Sequence, residues 1–233
     1  HFFPNSVIYL KLLISFFFGH KFKKEKIDLI ISCGRIAAPY NLIFKMNHNC
    51  KNCHILNPYF KKKEFNKIII PEYDSFKFSN KNNLITTKGT LVDLEKINLK
   101  KNEHLNILKN FDKTKKIVLI LVGGNGKSSK VVFNDLKATI LNLNKQKKIE
   151  IIYCFSRRTS ESLKTEIIKN KNKNSLFFPD KFFNPYWELI NIADYIFVTA
   201  DSISMTSDAL STGKPTYVIQ IKKIKSKIEQ FHI

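Results

Sequence analysis

The stretch that decides the fold is Ile192 to Val218, IADYIFVTADSISMTSDALSTGKPTYV. An apolar, β-rich run over 195–199 ends on Thr199 and gives way at once to small polar residues. A helical pattern over 204–211 follows, with Ser202 or Ser204 as its N-cap and Gly213 as its stop. Lys214-Pro215 then leads into a second β-rich run over 216–221. This is a βαβ unit with a polar turn at the carboxyl end of its first strand. Backbone N–H groups and the helix dipole make the start of such a helix an anion site. Ser202 and Ser204 add hydroxyl donors, and Asp208 lies one turn beyond Ser204 on the same face.

The same alternation extends toward the N-terminus. Further strand-like runs fall at 28–32, 67–70, 117–122 and 149–155. Helical patterns fall at 36–46, 131–143, 161–169 and 186–192. Nearly continuous apolar strands alternating with helices predict an α/β protein with parallel sheets covered on both faces. A polar stretch over 91–115, rich in Lys and Asn, separates an N-terminal Rossmann-like domain (1–90) from a C-terminal one (116–233). Within that stretch, 93–111 has a helical pattern.

Unusual residues gather just after the strands, where open α/β sheets bind ligands. They are Gly34-Arg35, Glu72 with Asp74, Gly123-Gly124, Ser156-Arg157-Arg158, and Thr199, Asp201, Ser202, Ser204 and Met205. The run Gly123 to Ser128 ends in Gly-Lys-Ser, but the phosphate-loop spacing requires glycine where Leu121 stands. A glycine turn there still lets backbone approach a ligand closely. Arg157 and Arg158 diverge as neighbours, so one of them faces a ligand and serves a diphosphate. Glu72 and Asp74, read as extended chain, point the same way and are candidate general bases. Cys50 to His54 fits the C-x-x-C-H pattern of haem attachment, yet no export signal is visible, and the zinc candidates His48, Cys50, Cys53 and His54 lack a second knuckle, so the cysteines read as incidental. No metal site is expected.

The chain of 233 residues carries a formal charge of +21, from 40 Lys plus Arg against 19 Asp plus Glu. Only three of those cations are arginines, and the lysines are scattered among Asn, Ile and Phe. That pattern fits compositional bias better than specific nucleic-acid recognition. It leaves an anionic membrane surface open as a partner. The apolar segment 6–18 is too short to span a bilayer and reads as a buried helix or an interfacial element. The chain begins with His1 and reads as a piece lacking both ends of a longer protein, cytoplasmic or peripheral on the inner face of the cell membrane.

The motifs together resemble a known family. TADSISM (199–205) with STGKPTYV (211–218), FSRRT (155–159), NPY (184–186), CGR (33–35), PEYD (71–74), KGTL (88–91) and VGG (122–124) are similar, in order and spacing, to the mitochondrial fission family named for elongated mitochondria in plants, which has many bacterial members. The resemblance implies a fold like the GT-B glycosyltransferases, with two Rossmann-like domains facing across a cleft and the N-terminal one incomplete here. It implies a nucleotide sugar held by Gly123, Gly124, Ser156, Arg157, Arg158, Thr199, Asp201, Ser202, Ser204, Met205 and Asp208, with no cofactor beyond that donor. Gly34 and Arg35 would lie on the acceptor side, and Asp74 or Glu72 would act on a cell-envelope or lipid-linked acceptor. The family generally has Glu where Asp208 stands, and often His where Tyr73 stands. The alternative implied by plant members is a non-catalytic adaptor that recruits a dynamin-like GTPase in fission.

Overall fold

A computed structural model describes residues 4–17, 26–76, 78–79, 81–97, 112, 114–126, 129–179 and 184–232. Residues 98–111 of the helical pattern at 93–111, and Lys127-Ser128, lie outside the described residues. The chain divides into two units, His1–Thr90 and Leu91–Ile233.

In the first unit, helix α1 (Asn5–Phe17) precedes strand β1 (Leu29–Cys33). Helix α2 (Ala37–His48), β2 (Lys51–Ile55), a 3-10 turn (Lys62–Glu64), β3 (Lys67–Pro71), the single-turn α3 (Glu72–Ser75) and β4 (Leu84–Thr87) follow. The four strands are parallel in the order β1-β2-β3-β4. Because the order advances one way, right-handed crossovers all fall on one side. On that side Ala38 and Leu42 of α2 pack with Phe65, Ile68, Ile70 and Phe78. The other face carries Leu29, Ile31 and Ile85, each well exposed. The expectation of sheets covered on both faces therefore fails here.

Strand β2 escaped the sequence reading because it is polar: Lys-Asn-Cys-His-Ile. Its inward residues are Asn52 and His54, both buried; a side-chain network holds Asn52 and the His54 Nδ1, while His54 Nε2 has no partner among the described residues and the ring packs on Phe65. His54 Nδ1 lies 2.7 Å from Ser32 Oγ. Asn41 on α2 donates to Ser32 Oγ and to the Cys53 carbonyl, and accepts from Asn52 Nδ2 at 2.7 Å. The C-x-x-C-H stretch is thus a strand of the sheet, with its histidine inside the unit.

Burial pushes the His54 pKa down from about 6.5 to about 4. The folded state holds His54 neutral while the unfolded chain binds a proton near 6.5. This contribution to stability is therefore fully present above about pH 6.5 and is lost as the pH falls toward 4. At about 1.4 kcal/mol per pKa unit the loss is about 3 kcal/mol. Denaturant titrations between pH 7 and 4 will show that slope in the native chain, and His54→Asn will flatten it while lowering stability at pH 7.

In the second unit α4 (Leu94–Ile97) is followed by β5 (Lys116–Val122), β6 (Ser129–Lys130), α5 (Phe133–Asn144), β7 (Ile149–Phe155), α6 (Glu161–Lys169) and β8 (Leu176–Phe178). Then come α7 (Tyr186–Ile192), β9 (Tyr195–Thr199), α8 (Ile203–Leu210), β10 (Thr216–Ile219), β11 (Lys223–Ile224) and α9 (Ser226–Glu229). The five-stranded parallel sheet runs β10-β9-β5-β7-β8, and β6 pairs with β11 apart from it. Strand β5, Lys-Ile-Val-Leu-Ile-Leu-Val, is central, so both its faces are buried and its pattern is continuous rather than alternating.

Alternate residues of β5 feed two cores. Val118, Ile120 and Val122 pack with Leu136 and Ile140 of α5 and Leu163 and Ile167 of α6. Leu119 and Leu121 pack with Leu189 and Ile190 of α7 and Ala209 of α8. Each such fully buried side chain contributes about 1.5–3 kcal/mol. Helix α4 belongs to this unit: the Asn191 side chain donates to the Lys96 carbonyl at 2.9 Å.

Candidate functional site

After β5 the chain moves to β7 and β8 on one side, then returns to β9 and β10 on the other. The strand order reverses between β5 and β9, so the loops at their carboxyl ends diverge and open a crevice. Those loops begin with Gly123 and Ala200.

Hydrogen bonds stitch the two loops together. Gly123 N–H donates to Thr199 Oγ1 at 2.8 Å, and Gly124 N–H donates to Asp201 Oδ2 at 3.0 Å. Thr199 Oγ1–H donates to Asp201 Oδ1 at 2.6 Å. Arg158, from the loop after β7, reaches the same carboxylate at 3.1 Å. Thr159 Oγ1 lies within hydrogen-bond distance of the Val122 and Gly123 carbonyls, and Asn125 N–H donates to the Arg158 carbonyl. Asp201 is a buried anion satisfied by a backbone N–H, a hydroxyl and a guanidinium, as burial demands.

This corrects part of the site read from sequence. Thr199 and Asp201 are buried and face their own protein, so neither side chain is at the surface to meet a ligand. They hold the crevice in shape. Gly123 and Gly124 are glycines for the same reason: a Cβ on Gly123 would sit 2.0 Å from Asp201 Oδ1, and one on Gly124 would sit 1.9 Å from the Arg158 carbonyl oxygen. Both arginines are exposed, but Arg158 is committed to Asp201 and Arg157 is not part of that ion pair. Ser156 Oγ accepts from Arg158 N–H at 3.2 Å and shapes the same turn.

Helix α8 starts where the sequence placed it. Ser202 is the cap, its Oγ accepting from Met205 N–H at 3.4 Å. Ser204 is exposed in the first turn. The N–H groups of that turn lack intrahelical acceptors by the geometry of any α-helix. Met205 packs against the α7–α8 core instead of reaching outward. Asp208 differs from expectation too: its Oδ2 accepts from the Tyr186 hydroxyl at 2.8 Å. Burial raises the Asp208 carboxyl pKa, and the bond from Tyr186 opposes the shift. Burial and the neighbouring carboxylate raise the Tyr186 phenol far above its ordinary value. The NPY motif thus meets helix α8 through one hydrogen bond. Nothing in the sequence linked Tyr186 to Asp208.

His232 was also missed. The chain returns after α9 so that its Nε2 lies 2.9 Å from the Ala200 carbonyl, within the loop after β9, while Nδ1 has no partner among the described residues.

In the first unit the paired carboxylates separate. Residues 72–75 form a helical turn, which rotates positions two apart to opposite sides. Glu72 is exposed and pairs with Lys88 at 3.4 Å, whereas Asp74 is buried. Gly34 turns with φ 81°, and its N–H donates to the Ile55 carbonyl. Arg35 is exposed, and its carbonyl accepts from Asn5 Nδ2 at 2.9 Å. Among the described residues no group of three or more His, Cys, Asp or Glu could hold a metal ion.

The family profile described as Mitochondrial fission ELM1 matches residues 10–233. The chain belongs to that family. An uncharacterised protein of Rickettsia prowazekii is 30% identical over 241 residues, spanning 86% of this chain and 68% of that one. The mitochondrial fission protein ELM1 of Arabidopsis thaliana is 48% identical over 48 residues, 21% of this chain and 11% of that one. Among solved structures, the UDP-GlcNAc 2-epimerase of Neisseria meningitidis bound to UDP-GlcNAc superposes with a TM-score of 0.56 at 15% identity, covering 97% of this chain and 67% of the epimerase. The ELM1-family chain therefore has an α/β architecture of GT-B type, built on two parallel sheets.

Proposed function

We propose that this ELM1-family chain binds a nucleotide sugar at the carboxyl ends of β5 and β9, and that it transfers the sugar to a cell-envelope or lipid-linked acceptor. The observation that carries the reading is the Asp201 knot at the strand-order reversal. It fixes two glycine turns beside the start of α8, where Ser204 stands exposed in the first helical turn. Such a start favours a diphosphate. Arg157, exposed on the adjoining loop, supplies the cation. The similarity in fold to an epimerase solved with UDP-GlcNAc supports the ligand class. Positioning and charge stabilisation would carry most of the catalysis.

Ser204→Asp separates this reading from a merely capped helix. An aspartate in the first turn favours the helix dipole by about 0.3–1 kcal/mol. The same charge repels a diphosphate. In thermal-shift titrations with UDP-, GDP-, ADP- and CMP-sugars, the native chain will gain stability with one donor class. Ser204→Asp will melt no lower without ligand yet lose most of that gain. A native chain indifferent to every donor would sink the proposal. It would favour the second reading, a non-catalytic fission adaptor, which the short match to the Arabidopsis protein supports.

A further inference from the structure

The connection between β2 and β3 is strained in a way no secondary structure requires. Leu56, Tyr59 and Lys61, none of them glycine, take φ values of 73°, 54° and 39°. Residues so held cost of order 1 kcal/mol or more each and persist only where the surroundings over-determine them. Here they are over-determined. Asn5 of α1 donates to the Pro58 carbonyl at 3.0 Å, and the buried Asn57 accepts from Tyr59 N–H at 2.9 Å. Asn83 Nδ2 lies 2.9 Å from both the Lys62 and the Phe65 carbonyls. Lys45 donates to the Glu64 carbonyl at 2.7 Å.

The pinned loop displays Lys61, Lys62 and Lys63 in succession around a cavity of 330 Å³, with Tyr59, Phe78 and Asn83 among the other walls. None of the described residues lining it is acidic. Aromatic faces set the cations: Lys62 Nζ lies 3.9 Å from the centre of the Phe78 ring, and Lys61 Nζ lies 4.5 Å from that of Tyr9. The Tyr59 ring is exposed beside them. A solvated charge run has no need of a fixed backbone, an apolar floor or a concave wall. A cavity walled by three lysines and by aromatic rings suits a phosphate joined to a ring or chain that rests on the apolar part.

We propose that this pocket of the first unit binds a phosphate-bearing ligand, with Lys61, Lys62 and Lys63 on the phosphate and Tyr59 under the remainder. It is independent of the donor site proposed above. The test uses the full chain, with inorganic pyrophosphate and glucose 6-phosphate as soluble probes. Vesicles of phosphatidylcholine with and without phosphatidylglycerol serve as the lipid probe. Calorimetry or sedimentation compares the native chain with two triple variants of equal charge change. One is Lys61→Gln/Lys62→Gln/Lys63→Gln. The other is Lys145→Gln/Lys147→Gln/Lys148→Gln, on the exposed end of α5 and the turn after it.

The pocket variant will weaken binding about tenfold or more, and the α5 variant by about twofold at most. Loss with the soluble probes identifies a free phosphate compound as the source. Loss with anionic vesicles alone identifies a lipid headgroup. Equal weakening by the two variants, or no binding of any probe by the native chain, overturns the site. Amide shifts on 59–63 during a pyrophosphate or vesicle titration of the native chain give a readout that does not depend on the variants folding, and their absence also overturns it.

Discussion

Gly124→Ala will lower the stability of the 91–233 unit by about 3 kcal/mol. The new Cβ has to share space with backbone, at 1.9 Å from the Arg158 carbonyl oxygen and 2.5 Å from Thr159 N. No rotamer change relieves that contact, so the loop after β7 must shift and the bonds to Asn125 and Asp201 must stretch with it. The single tryptophan, Trp187, lies on α7, so its fluorescence in urea titrations follows this unit. Gly213→Ala is the control. Gly213 has φ 69°, and a Cβ added there meets nothing within 4 Å, so alanine incurs only the left-handed backbone penalty of about 1–2 kcal/mol. If the two substitutions cost the same, close packing is not why residue 124 is glycine.

Asp201→Ala will cost a similar amount, about 3 kcal/mol, because it removes a buried acceptor that several donors share. It leaves Gly124 N–H, the Thr199 hydroxyl and the Arg158 guanidinium without their common acceptor. Arg158→Ala will cost about 1–2 kcal/mol, since the arginine side chain is 43% exposed and water can enter where it stood. Asp201→Asn falls between the two, keeping an acceptor but losing the charge. A double-mutant cycle on Arg158 and Asp201 isolates their coupling. Trp187 fluorescence in urea measures each of these proteins. A cost for Asp201→Ala near that of Arg158→Ala would mean the carboxylate is no hub.

Much of this architecture could be read from the chain alone, and the parts that could not share a physical cause. Strands β7 and β9 and helices α6 and α7 coincide with the runs marked in the sequence, because their apolar periodicity is unbroken and their ends carry caps or turns. Strand β2 was invisible because Asn52 and His54 face inward and bond to Asn41 and Ser32, partners from other elements. The loops of the candidate site were legible from small residues after strands. Their internal pairing was not. Asp201 and Arg158 look alike as ligand contacts until the fold brings them together across 43 positions. The alignment expected of Glu72 and Asp74 is absent for a local reason: one helical turn after Pro71 replaces the extended backbone that would align them.

The reversal of strand order has a temporal consequence. The bonds from Gly123 to Thr199 and from Gly124 to Asp201 span 76 and 77 positions. Closing such long segments forfeits chain freedom before any contact compensates, so pairings of this kind form late. The β5-α5-β7-α6 half can assemble from nearer neighbours while β9 is still unplaced. An immature chain would then carry its glycine turns without the carboxylate that sets them. The crevice would become competent only when maturation is complete, so any ligand captured there would also certify that the whole unit had reached its native state.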